Sequence, residues 1–373
     1  MQYIEDIISY SRKNKSTLLF NVENRNWLPS FPYENKHKLN AMALLSIETP
    51  RDLSQFLGVP MHQIEEMICN PSYQHHAIKK KRGGIRHIDA PEQELKRLQK
   101  RLNYFLQAYY LWIKPAEIHG FVINPHFGET RYNIVENARP HTGKAHLLNI
   151  DLKDFFPSIK AGRVKRLFLS PYFGYGEEVA TALTLLTTYA GKLPTGAPTS
   201  PVLSNFICLH LDAHLRRFCY ENQLTFTRYA DDLTFSSDTP ITQEAIDSIK
   251  RIIGENGFEI NEKKLHLQSA NRRQVVTGLT VNEKVNVDRK LLKRTRAMLH
   301  DLVTNGIEVA TQRHFNLQEA PPEEFCKYFF NCLKGYMHFI SQVRGGDDPV
   351  YLRLKQQFDA GPRFRCCPND EAS

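Results

Sequence analysis

The sequence predicts an α+β chain in which an antiparallel sheet is backed by helices, and three observations carry that expectation. The stretch Arg228-Tyr229-Ala230-Asp231-Asp232-Leu233 lies between two runs of period two, in which Leu224 and Phe226 alternate with Thr225 and Thr227, and Leu233 and Phe235 with Thr234 and Ser236. These runs read as a hairpin with the acids at its tip. Leu147, Leu148 and Ile150 form a buried strand ending at Asp151. Helical patterns flank both, with one helix through Leu203, Phe206, Leu209 and Leu211 and another from Thr242 to Asn256 that Gly257 closes as a C-cap.

Adjacent aspartates repel each other, and a fold keeps them together at a tight turn most readily when a cation neutralises them. A divalent metal is the simplest such cation. A solvated Asp-Asp turn has the same local sequence, so the third carboxylate decides between the two. Asp151, just past the end of a core strand, sits on the rim of a sheet, where acids from neighbouring strands can converge. Asp154 is its competitor, expected to face solvent or cap the following helix.

With 373 residues, 41% of them hydrophobic, the chain is long enough for two or three subdomains and a sizeable core. Lys and Arg outnumber Asp and Glu 49 to 40, and the excess is clustered. One cluster is Lys79-Lys80-Lys81-Arg82 with Arg86; the other is Arg289, Lys290, Lys293, Arg294 and Arg296. Such clusters suit a polyanion, although either alone is equally a solvated basic face. The seven cysteines include no C-x-x-C pair, and an odd count without a signal peptide is the pattern of a reduced, cytoplasmic protein. No run approaches the ~18 apolar residues of a membrane span.

In chain order, the first 70 residues are helical and carry no assignable chemistry. Pro29, Pro32 and Pro50 break them into pieces, and Asp52, Leu53, Phe56 and Leu57 begin a short amphipathic helix continued after Pro60 by Ile64 and Met67. From Tyr73 to Pro91 an extended segment carries the basic run, and Gly83-Gly84 turns it into a hairpin that presents Lys80, Lys81 and Arg86 on a flap able to close over a triphosphate. A helix with Leu95, Leu98, Leu102 and Phe105 on one face follows. His119-Gly120-Phe121 and Asn137-Ala138-Arg139-Pro140-His141 are loop-like on composition. Phe156 stands where a ring can border a substrate pocket, and helical sequence runs from Val164 to Ala190. The loop Gly191 to Pro201 enters the next helix, and Gly196 lets the backbone approach a ligand closely. After the acidic hairpin come Asn261, Lys264, a second hairpin with Val275 to Leu279 as one run and Val281 to Val287 as the other, and a helix from Asp288. That helix places Leu291, Met298 and Leu302 on one stripe and Arg289, Lys293 and Arg296 on another, packing inward while facing phosphates outward. The tail after Gly345-Gly346 is expected to fray.

The order of these pieces, from about Tyr73 to Ile340, resembles the reverse transcriptases. Within them the chain resembles the retron reverse transcriptases, because Asn137-Ala138-Arg139-Pro140-His141 fits an Asn-Ala-x-x-His motif and Val276-Thr277-Gly278 a Val-Thr-Gly motif. The resemblance implies a right-hand polymerase fold: an N-terminal helical extension over 1–70, fingers over 71–145 with 160–200 contributing, a palm over 146–285, a helical thumb over 286–345 and a tail over 346–373. It implies polymerisation of DNA on RNA through two Mg²⁺ ions, with Asp151, Asp231 and Asp232 as catalytic metal ligands. Lys80, Lys81, Arg86, Phe156, Gly196 and Lys264 become nucleotide-binding positions, with Phe156 excluding a ribose 2′-hydroxyl. Asn137, His141, Val276, Thr277, Gly278, Arg289, Lys293 and Arg296 become RNA- or DNA-binding positions. Thr195, a shorter side chain, stands where the family usually has Gln, which puts any base or sugar contact inherited from that Gln in doubt, and Leu265 stands where it commonly has Thr.

The partners implied are deoxynucleoside triphosphates, a cognate structured noncoding RNA serving as template and primer, the branched RNA-linked single-stranded DNA (msDNA) begun from a guanosine 2′-hydroxyl, and a separate effector, a nuclease or other toxin, acting against phage. A higher-order assembly is compatible with this, and a membrane is not involved. The alternatives are a group II intron or diversity-generating reverse transcriptase and an inactive RNA-binding scaffold on the same fold. The residues after Ile340 leave no space for the maturase and endonuclease domains of intron enzymes, and the presence of all three acids argues against the scaffold.

Overall fold

A computed structural model of the chain describes residues 2–24, 33–79, 83–124 and 131–361. The chain divides into two compact units: residues 1–137 with 146–267, and residues 138–145 with 268–373.

The first unit opens with five helices, α1 (Gln2–Lys13), α2 (Lys15–Asn24), α3 (Tyr33–Leu45), α4 (Pro50–Leu57) and α5 (Met61–Cys69). The start of α4 is set by its sequence. Thr49 accepts from the backbone N–H of Asp52, the Asp52 carboxylate accepts from that of Thr49, and Pro50 occupies the first turn. Strands β1 (Tyr73–Lys79) and β2 (Ile85–Pro91) pair antiparallel from Tyr73–Pro91 to Lys79–Ile85, which is the expected flap. Gly83 and Gly84 take positive φ angles of 89° and 85° in its turn, a conformation open to glycine at no steric cost. Lys80, Lys81 and Arg82 lie outside the described residues. Helix α6 (Gln93–Ile113) follows and buries Leu95, Leu98, Leu102 and Phe105, the stripe read from the sequence, with α3 packed on it.

After α7 (Ile134–Ala138) comes β3 (His146–Asp151), then α8 (Phe155–Ser158), α9 (Ala161–Leu169), α10 (Glu177–Thr187), α11 (Ser200–Ile207) and α12 (Leu209–Glu221). The single helical run expected from Val164 to Ala190 is therefore two helices, interrupted by a turn at Pro171, where the missing N–H and fixed φ end α9. Strands β4 (Thr225–Tyr229) and β5 (Asp232–Ser237) form the acidic hairpin, and α13 (Gln243–Glu255) follows, its Thr242 side chain capping Ala245. With β6 (His266–Ser269) the sheet order is β4-β5-β3-β6. Leu148, Ile150, Phe226, Leu233 and Phe235 join the helices' apolar side chains in one continuous core.

In the second unit β7 (Val275–Val276) and β8 (Leu279–Thr280) pair across Thr277-Gly278. Both turn residues have positive φ, 46° and 84°, which suits a two-residue hairpin but is unusual for a β-branched threonine. The chain thus turns earlier than expected of arms running from Val275 to Leu279 and from Val281 to Val287, and Leu279–Thr280, just past the Val-Thr-Gly stretch, pairs with β7. Residues 138–145 bond to the chain on either side of this hairpin, Gly143 N–H donating to the Val281 carbonyl (2.9 Å) and Ala270 N–H to the Ala145 carbonyl (2.8 Å). Helices α14 (Arg289–Phe315), α15 (Glu323–Arg344) and α16 (Pro349–Ala360) pack on one another, and α14 bends at Gly306.

Helix α16 stands where the sequence suggests a frayed tail. Pro349 starts it, Asp348 caps it through the N–H groups of Val350 and Tyr351, and buried Leu354 anchors it. Arg344 grips the Asp348 carboxylate at 2.8 and 3.0 Å, and Lys284 adds a third contact at 3.0 Å. Burial pushes the Asp348 carboxyl up, but Arg344 and Lys284 outweigh it and hold it well below the usual carboxylate range. A depressed acid stabilises the fold above its unfolded pKa, roughly 4, and that contribution is lost as pH falls through the folded value. Asp348→Ala is expected to remove about 3 kcal/mol, leaving Arg344 buried without its anion. It should also flatten the acid limb of a stability-versus-pH curve measured by urea unfolding.

Candidate active site

The site is built where β5 lies between its two neighbours. Register sets Tyr229 of β4 opposite Asp232, and Asp151 of β3 opposite the same Asp232 on the other side. Directly opposed residues sit about 4.5–5.5 Å apart, so the two acids are immediate neighbours. Leu152 N–H donates to the Asp231 carbonyl (3.0 Å), extending the pairing past the strand end and holding the turn beside Asp151. Three carboxylates separated by up to 81 positions in sequence therefore meet at one sheet edge.

Their charges are mutually unfavourable. Burial, followed by the neighbouring carboxylates of Asp231 and Asp151, pushes Asp232 up to about 7, although its side chain still reaches the surface. Asp231 is raised by burial and then by Asp151. Lys264 answers part of this charge, its Nζ 2.7 Å from Asp151 Oδ2, and Asn261 holds Asp151 through its backbone N–H (2.9 Å) and its Nδ2 (3.3 Å).

Among the described residues, no three His, Cys, Asp or Glu side chains form a ready-made ligand cage. The donor chemistry nevertheless suits a hard divalent cation: carboxylate oxygens, more negative charge than Lys264 cancels, and an aspartate whose proton affinity its acidic neighbours raise.

Asp151 and Asp231 open into a cleft of about 800 Å³ whose walls include Arg86 from β2, Phe121, Phe156, Thr195 and Lys264. Phe156 stacks on Phe121 with ring centroids 5.7 Å apart, making an aromatic part of the cleft wall. Asp154 lies on the rim in the N-cap position of α8, but its side chain makes no capping hydrogen bond.

The remaining expected site residues are distributed differently. Gly196 does not line the cleft. A Cβ there would lie 2.7 Å from the Asp89 carbonyl oxygen and 3.0 Å from Ala90 Cα, so its close approach is to β2, and its neighbour Thr195 faces the cleft instead. Asn137 and His141 are 1% and 0% exposed, so neither offers its side chain to a nucleic acid at the surface. The Asn137 carbonyl accepts from Thr227 on β4 (3.3 Å), which makes that residue a support of the sheet. Val276 is also buried, while Thr277 and Gly278 form the turn. Arg289 lines a groove with Arg272, Arg273 and Lys284, Arg296 lines another with His300 and Arg353, and Lys293 is exposed. Lys80 and Lys81 fall outside the described residues.

Sequence reasoning missed Asn261 as a ligand of Asp151, and it missed the supports of the turn, Gly120, Asn205, Asp212 and Arg228. Arg228 carries a signal: it is the one charged residue in a strand otherwise made of Thr225, Phe226, Thr227 and Tyr229, and a buried guanidinium requires a buried acid.

A family model described as reverse transcriptase (RNA-dependent DNA polymerase) matches residues 78–287. The chain is 36% identical over 279 residues to the retron Mx65 reverse transcriptase of Myxococcus xanthus, covering 68% of this chain and 62% of that protein. It is 33% identical over 282 residues to the retron Ec86 reverse transcriptase of Escherichia coli, covering 74% and 84%. Among solved structures it is similar to a telomerase from Candida albicans at 9% identity and a TM-score of 0.44, over 77% of this chain and 63% of that one. The chain belongs to the reverse transcriptases and, within them, to the retron reverse transcriptases. Its mixed helices and antiparallel sheet are those of the right-hand polymerase fold. Among the described residues no helix is long and apolar enough to cross a membrane.

Proposed function

We propose that the chain polymerises DNA on an RNA template, with Asp151, Asp231 and Asp232 holding two Mg²⁺ ions. The observation that carries this reading is the convergence of these acids at one sheet edge, from which Asp151 and Asp231 open into a cleft that also presents Arg86, Lys264 and an aromatic wall. When bound, the two ions would supply activation of the primer hydroxyl and neutralisation of the departing pyrophosphate. The chain's own residues do the positioning. Arg86, on the flap, offers a bidentate donor to the triphosphate, and Lys264 lies on the acid side of the same cleft, where a cation offsets phosphate charge. Phe156, which lines the cleft, is the residue we assign to exclusion of the ribose 2′-hydroxyl of an incoming nucleotide.

Extension of a primed RNA by deoxynucleotides in the presence of Mg²⁺, and its loss with chelator, tests the activity. Absence of any extension by the intact protein would overturn it. Phe156→Ala is expected to raise ribonucleotide incorporation relative to deoxynucleotides by about ten- to a hundredfold, the range a single steric contact contributes. Competing single-nucleotide incorporation measures that ratio, and an unchanged ratio would remove Phe156 from this role.

Membership among retron reverse transcriptases supports a narrower reading: a cognate noncoding RNA is both template and primer, the product is msDNA begun from a guanosine 2′-hydroxyl, and a separate effector uses it against phage. The second unit is the reader of that RNA. Its exposed Arg289, Lys293 and Arg296 and the turn at Thr277-Gly278 offer shape and phosphate contacts, while the buried Asn137 and His141 act indirectly, by holding the backbone. Co-expression with the structured RNA encoded beside the gene should give DNA that remains linked to RNA until debranched.

A further inference from the structure

We infer that Arg228, held by Asp212 and Asn205, is a positioning residue that fixes the acid-bearing turn against the aromatic wall of the cleft; this rests on the polymerase reading above. Arg228 is the largest fully buried side chain in the described residues, and a charge there needs a reason. Its Nε and Nη2 donate to the two carboxylate oxygens of Asp212 on α12 at 2.7 and 2.6 Å, a bidentate pair with both partners out of solvent. Burial disfavours the guanidinium's charge, but Asp212 outweighs it, and the net shift is upward.

The ion pair leaves Nη1 free for two further bonds, and these point toward the chemistry. One goes to the carbonyl of Ala230 (3.1 Å), the positive-φ residue immediately before Asp231. The other goes to Asn205 Oδ1 (3.0 Å) on α11. Asn205 in turn donates from Nδ2 to the carbonyls of Gly120 (3.0 Å) and Phe121 (3.4 Å). Phe121 carries the ring that stacks on Phe156. One guanidinium therefore ties the backbone of the acidic turn to the backbone of the nucleotide wall through a single intervening amide. All three side chains are at most 1% exposed, so water cannot substitute for a missing donor without a cavity opening.

The network sets how the acids of the turn face Asp151, so disturbing it should alter metal use before it alters RNA binding. Arg228→Lys keeps a cation for Asp212 but cannot reach Asp212, Asn205 and Ala230 together in the fork geometry. Arg228→Met with Asp212→Leu removes both charges and leaves neither unpaired, a replacement that buried pairs often tolerate. For both variants we expect the Mg²⁺ concentration giving half-maximal extension to rise about tenfold and kcat to fall about a hundredfold, the loss typical of an ångström-scale misplacement, with unchanged affinity for primed RNA. A purely structural role would reduce the fraction of folded enzyme and leave the Mg²⁺ midpoint where it was. Asn205→Ala, which keeps the ion pair intact, should move that midpoint in the same direction. A folded variant of either kind with the wild-type Mg²⁺ midpoint and rate overturns the inference, while a wild-type protein that extends no primer overturns the polymerase reading instead.

Discussion

Replacing Asp231 and Asp232 together by asparagine is expected to lower DNA synthesis on a primed RNA template by at least about a thousandfold, the upper end of what one preorganised electrostatic group contributes. Asparagine keeps the shape of each side chain and removes two negative charges. Burial and mutual repulsion already disfavour those charges, raising both carboxyls above their ordinary range. The substitution therefore relieves the protein while disarming the site, and the thermal midpoint should equal or exceed that of the wild type. Binding of the RNA should persist, because the basic side chains of the second unit, to which we assign that binding under the proposed function, are untouched. Primer extension, a binding titration and a melt on the same preparation separate these outcomes. A double variant that still extends the primer with deoxynucleotides would end the assignment of these acids to catalysis.

Gly120→Ala is expected to have a comparable effect on synthesis from a position that bears no functional group. A Cβ at Gly120 would lie 2.3 Å from the Ala230 backbone nitrogen, 2.8 Å from the Tyr229 carbonyl carbon and 3.0 Å from Tyr229 Cα. Backbone atoms cannot rotate away as a side chain can, and this backbone is pinned. His119 N–H donates to the Arg228 carbonyl and Arg228 N–H to Glu117, both at 3.1 Å. The added methyl must push the acidic turn out of register with Asp151. We expect a stability loss of about 1–3 kcal/mol from overpacking and a fall in extension rate of about a hundredfold or more from the displaced acids. Gly254→Ala is the matched control, since Gly254 lies inside α13 with nothing within 4 Å of its Cβ position. That change should stabilise by roughly 0.5–1 kcal/mol through helix propensity and leave the rate unchanged. Wild-type synthesis by Gly120→Ala would show that the turn is not held from this side.

The acidic hairpin, the core strand ending at Asp151 and the flap with its Gly-Gly turn were legible because each is a local pattern: alternation at period two, an apolar run, a turn dipeptide. The apolar stripe of α6 and the extent of α13, closed by Gly257, were legible for the same reason. Helix α16 was not, because what stops it fraying is Arg344 and Lys284 closing on Asp348, and no local pattern records those contacts. At Gly196 the close approach that local sequence could not show is to β2, where a Cβ would meet the Asp89 carbonyl oxygen.

The sequence by itself determined the chemistry available: which side chains are acidic, in what order along the chain they occur, and that two of them sit at the tip of a hairpin. It could not determine who meets whom. Strand order and register brought Asp151 opposite Asp232, packing turned Asn137 and His141 inward, and burial converted Arg228 from one more cation into the brace of a turn. The physical reason is that charge and hydrogen-bonding capacity belong to a residue, whereas desolvation, distance and partners belong to the fold. A carboxylate's affinity for a cation depends on all three.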